Sequence, residues 1–92
     1  MAQLTHGMDI QQVRSSMSKI ESLAGQIDSL RDQLNTAITN LLNIWSGPDA
    51  NQYVNTTWPP YKSNMTQLTE SLRQLATTGR TQATQQEQTS AS

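Results

Sequence analysis

The chain has 92 residues, a formal net charge of -1, 34% apolar residues, and no Cys or Phe. That length gives one small domain that buries a modest share of its unfolded surface, and the missing Cys excludes disulfides, thiolate metal sites and thiol catalysis. The six basic residues are scattered from Arg14 to Arg80 and form no cationic stripe to track phosphates, so nucleic-acid binding is not expected.

Residues 1–8 read as a flexible start. They carry neither a basic n-region nor a long apolar run, so no general secretory signal peptide is expected; no later run approaches membrane-spanning length, so no stable membrane insertion is expected either. Asp9 is a good N-cap for a first helix over residues 9–44. Written as heptads, that helix places Ile10, Met17, Ala24, Arg31, Ile38 and Trp45 at a, and Val13, Ile20, Ile27, Leu34 and Leu41 at d. A further column, Leu23, Leu30, Ala37 and Ile44, occupies g, so the apolar face widens toward the middle of the chain. A two-position seam serves one neighbour, whereas a three-position face needs two. The expectation is an all-α antiparallel helical hairpin that pairs into a dimeric four-helix bundle, with Leu23, Ile27, Leu30, Arg31, Leu34 and Ile38 at the dimer interface. Arg31 alone breaks the seam. Set between Asp28 and Asp32 it reads as a charged helix surface, and around a two-fold axis the same acid, base, acid order is self-complementary.

The turn falls at Trp45-Ser46-Gly47-Pro48, residues 45–48. Gly47 has no Cβ and suits the left-handed conformation that closes a helix, Pro48 suits a first helical turn, and Asp49 with Gln52 has the spacing of a capping box. So short a connection lays the two helices side by side, with Trp45 at the tip. Trp45 and Gly47 thereby become the candidate recognition motif.

Helix two is expected over residues 49–76, with Val54, Trp58, Tyr61, Met65, Leu68, Leu72 and Leu75 as its seam. Pro59-Pro60 falls inside it at a cost on the order of 3 kcal/mol per interior proline, which predicts a bend at residues 57–60. Residues 77–92 contain no apolar side chain larger than Ala and read as a disordered polar tail. The chemistry is sparse throughout. His6 is the single His, the Ser and Thr residues have no base to activate them, and no catalytic, cofactor or metal site is expected.

The length, the two heptad helices, the central Trp45-X-Gly47, the opening Pro48-Asp49-Ala50 of helix two and a second aromatic at Trp58 together resemble the WXG family. These are small proteins of the early secreted antigenic target type, exported by type VII (ESX) secretion. The resemblance implies a non-enzymatic hairpin that leaves the bacterial cytoplasm folded, as a dimer and without a cleaved signal. Its implied partners are a second copy or another WXG hairpin, together with the type VII machinery. The family's export signal is commonly Tyr-x-x-x-Asp/Glu after helix two; here no Tyr follows Tyr61, and the nearest analogue is Ala83 with Glu87. Either these form a variant signal or a separate partner supplies the tyrosine. The alternative function is a cytoplasmic helical adaptor or chaperone that pairs with a larger secreted effector.

Overall fold

Asp9 opens the first helix as its residue type predicts. Its carboxylate Oδ1 accepts the Gln12 N–H at 3.1 Å and its carbonyl accepts the Val13 N–H at 2.9 Å, which satisfies donors that the first helical turn leaves unpaired. The computed structural model describes residues 9–91; the expected flexible start, His6 included, lies outside them. Among the described residues there is no strand, and the chain is a helical hairpin. Helix α1 spans Ile10–Thr39 and tightens into a 3-10 turn over Asn40–Asn43, where the Ile44 and Trp45 N–H groups both reach the Leu41 carbonyl. After the corner, α2 (Pro48–Gln52) and a π-helical turn (Tyr53–Thr57) lead into α3 (Trp58–Ala91).

The corner differs from expectation in one respect. Gly47 has the positive φ that only glycine accepts readily, but at φ 113° and ψ 177° it is extended and not α-like. It therefore does not close helix one. It serves as the N-cap of α2, with Pro48 at the first helical position, and the residue before a proline is driven to extended ψ for steric reasons. Asp49 consequently lies inside the first turn, no side chain caps α2, and the predicted capping box does not form.

Pro59 and Pro60 do not break the helix. They lie in the first turn of α3, and the turn before them widens so that the Trp58 N–H bonds the Tyr53 carbonyl, five residues back. One extra residue in that turn is the helical way to absorb a proline clash, and this irregular turn at Tyr53–Thr57 lies next to the bend expected at 57–60. It also shifts the inward phase, so that Ala50, Val54 and Trp58 are buried at steps of four.

That shift corrects the predicted seam. Trp58 and Val54 are buried and Met65 and Leu72 half-buried, but Tyr61, Leu68 and Leu75 point outward. Thr69, Ala76 and Ala83 take the inward positions, spaced by seven, and all three are fully or almost fully buried. Thr69 is 1% exposed and satisfies its hydroxyl by donating to the Thr66 carbonyl at 2.9 Å. Small inward side chains let helix axes approach closely, and the tail predicted to be disordered is instead helix to Ala91. The same residues that looked too small to bury anything form the inner face.

Two units make up the chain, Gly25–Glu70 and the pairing of residues 9–24 with 71–91, and each brings together two antiparallel helical stretches. In the first, Arg31 meets Thr66, and Asn35 Oδ1 accepts the Trp58 indole N–H at 3.0 Å, giving a large buried aromatic its polar partner. In the second, Met17 lies over Gly79, where a Cβ would overlap the Met17 sulfur.

Enlarging the inner face tests this phase. Thr69→Leu and Ala76→Leu should each destabilise the fold by about 1–3 kcal/mol through overpacking. Gln67→Leu and Gln74→Leu, on exposed positions, should stay within about 0.5 kcal/mol. Urea denaturation of the four variants provides the comparison, and tolerance of leucine at 69 and 76 would restore the original seam.

Candidate functional site

At 100° per residue, the inward positions divide each helical stretch into two edges. In Gly25–Glu70 one edge holds Asp28 on α1 and Thr66 on α3. Arg31, at the centre, turns toward this edge, donating Nη1 to Asp28 Oδ1 at 3.0 Å and to Thr66 Oγ1 at 3.0 Å, and Nε to Asp32 Oδ1 at 3.1 Å. Its side chain is only 19% exposed. The hydrogen bond to Asp32 is the main reason that its pKa is raised above the ordinary value, against an opposing pull from desolvation. The self-complementary order of Asp28, Arg31 and Asp32 is thus used within one chain. An acid one turn away satisfies a seam arginine without any two-fold axis.

The unit of residues 9–24 and 71–91 repeats this division. Its polar edge holds Arg14 against Glu87 at 3.2 Å, with Thr84 accepting from the same guanidinium, and Arg80 against Glu21 at 2.6 Å, with Ser18 accepting from Arg80. The hydrogen bond from Arg80 holds the Glu21 carboxyl below its ordinary range, and Glu21 in turn raises Arg80. A lowered carboxyl pKa means that this pairing is complete above the usual glutamate value and is lost as pH falls through the lowered one.

The opposite edges are apolar. In Gly25–Glu70 the edge carries Leu30 (53% exposed) on α1 and Leu68 (50% exposed) on α3, with Leu34 and Tyr61 also exposed. In the other unit Leu23 and Leu75 are exposed on the corresponding edges of their own stretches. The interface set expected from sequence therefore divides: Leu23, Leu30 and Leu34 are open, while Ile27, Arg31 and Ile38 are half-buried in the chain's own packing. Sequence reading had no α3 contribution to this edge, because it assigned Tyr61, Leu68 and Leu75 to the seam.

At the corner, Trp45 is 40% exposed and its ring lies 5.7 Å from that of Tyr53 at 51°, a tilted aromatic contact. Leu42 and Ile44 are exposed beside it in the chain. Trp45 and Gly47, paired in the sequence motif, have separate duties: Gly47 sets the backbone reversal and Trp45 offers an apolar surface. Ala83 and Glu87, the export-signal analogue, are not displayed together. Ala83 is fully buried, and Glu87 is engaged by Arg14. Sequence reading also missed Asn35 and Thr69; the seven-residue spacing of 69, 76 and 83 was the available signal.

Among the described residues no group of His, Cys, Asp and Glu could hold a metal ion, and no helix is long and apolar enough to cross a membrane. No protein-family model matches the chain, nor does any curated protein or solved structure.

The two motif residues should respond differently to truncation. Gly47→Ala forces a Cβ into a glycine-only backbone region and should cost about 1–3 kcal/mol despite open space around it. Trp45→Ala should cost about 1 kcal/mol, well below the ~3–5 kcal/mol of a fully buried Trp. Thermal melts of both variants measure the difference.

Proposed function

We propose that this chain is a WXG-type protein that works by protein contact as a dimer, catalyses nothing, and is a substrate of type VII (ESX) secretion. The observation that carries this reading is the corner: Trp45-Ser46-Gly47-Pro48 reverses the chain between α1 and α2 with Gly47 at φ 113° and leaves Trp45 partly exposed against Tyr53. A half-exposed aromatic in an apolar surround is the usual form of a binding anchor. The dimer is supported by the apolar edge of Gly25–Glu70, since Leu30, Leu34, Tyr61 and Leu68 are only partly covered and a small domain gains most from a second chain. The partner is a second copy or another WXG hairpin. The protein is made in the bacterial cytoplasm and exported from it. A second reading, a cytoplasmic adaptor or chaperone for a larger secreted effector, is favoured by the burial of Ala83 and the lack of any Tyr after Tyr61.

Expression in a bacterium that carries a type VII system separates the two. The proposal predicts that the chain reaches the culture medium only when the secretion ATPase is intact; retention in the cell with a bound effector favours the adaptor. On purified protein, Leu30→Lys with Leu68→Lys should weaken self-association at least about tenfold by sedimentation equilibrium while far-ultraviolet helicity is kept. A wild-type monomer would shift the proposal to the heterodimer.

A further inference from the structure

The segment after Leu75 is held in a way that the rest of the chain is not. Along residues 77–89 the one fully buried side chain is Ala83, and Met17 of α1 lies over Gly79. The helix-forming composition is also weak: Thr77, Thr78, Gly79, Thr81, Thr84 and Thr89 are poor interior residues, and a helix of this length is marginal in water. Against that stand two ion pairs of long sequence separation, both with their hydrogen bonds on the same polar edge: Arg14 with Glu87 and Thr84, and Arg80 with Glu21 and Ser18. All four charged side chains are between 36% and 54% exposed, so solvent ions reach them.

The geometry points to a clasped arm. We propose that residues 77–91 are an electrostatically held helix that detaches from residues 9–24 when the Arg14–Glu87 and Glu21–Arg80 pairs are screened, while Gly25–Glu70 stays folded. Exposed pairs are weak one by one. They decide the outcome here because the segment they hold has almost no large apolar side chain, so its docked and detached states lie close in free energy. The Gly25–Glu70 unit differs, with Val54 and Trp58 buried and an indole hydrogen bond in its core. The proposal goes beyond the secretion reading and does not rest on it. Its consequence is that Ala83 becomes accessible, and Glu87 is released from Arg14, only in the detached state.

Hydrogen exchange on the full chain tests it. Between about 0.01 M and about 1 M NaCl the screening length falls from ~30 Å to ~3 Å. The amides of residues 77–89 should then lose protection by about tenfold or more relative to those of residues 58–70. Arg14→Glu should produce the same loss at low salt, and Arg14→Glu combined with Glu87→Arg should restore protection and its salt sensitivity. Unchanged protection of 77–89 in high salt, a loss shared equally by 58–70, or failure of the charge swap to restore the arm would each overturn the proposal.

Discussion

Close approach through small side chains is the constraint from which the other features follow. Thr69, Ala76 and Ala83 face inward on α3, Ala24 does so on α1, and Met17 fills the notch at Gly79. In the unit of residues 9–24 and 71–91 an inner face this small leaves Leu23 and Leu75 outside, and in Gly25–Glu70, where Val54, Trp58 and Thr69 take the inward positions, Leu30, Leu34 and Leu68 are likewise exposed. Ala and Thr release far less apolar area from water than Leu does, so the intramolecular core is thin.

The charged residues follow the same division. Arg14, Glu21, Asp28, Arg80 and Glu87 all occupy the polar edges of their own units, and the guanidinium of Arg31 reaches over to that edge in Gly25–Glu70. This leaves the apolar edges free of the charges that would oppose burial in an interface. Within each unit the edges therefore do different work: the polar edge fixes how the two helical stretches meet, and the apolar edge remains available. The single large buried aromatic, Trp58, sits where α3 begins and is anchored to α1 by Asn35, so the widened turn that admits Pro59 and Pro60 is tied down on its inner side.

Much of this was legible in the residues. The helix start at Asp9, the reversal at Trp45 to Pro48 and Pro48 as the first helical residue rest on local rules of capping and backbone sterics, and local rules act before packing does. The g column of α1, set apart in the sequence from the a and d seam, is exposed at Leu23, Leu30, Ala37 and Ile44. Where α3 was misread, the cause was size. Hydrophobic periodicity favours Tyr61, Leu68 and Leu75, which have the same seven-residue spacing as Thr69, Ala76 and Ala83 but one position out of phase, and only packing distinguishes the two. The tail was misread because a composition argument counts large apolar side chains and gives no credit to a small inward Ala83 or to ion pairs with a distant stretch of the chain. Gly47 was given the right sign of φ and the wrong helix, because Pro48 fixes ψ as well as the helix start.

From Leu68 on, α3 packs inward on Thr69, Ala76 and Ala83 and presents Leu68 and Leu75 outward. With no native Cys, single cysteines placed at 68, 69, 75, 76 and 83 give five clean reporters. Thiol-labelling rates, measured on the native protein over a range of concentration, then read each position directly. The account predicts slow labelling at 69, 76 and 83 at every concentration, and fast labelling at 68 and 75 that slows only as the protein associates. Fast labelling at 69 and 76 with permanent protection at 68 and 75 would contradict it.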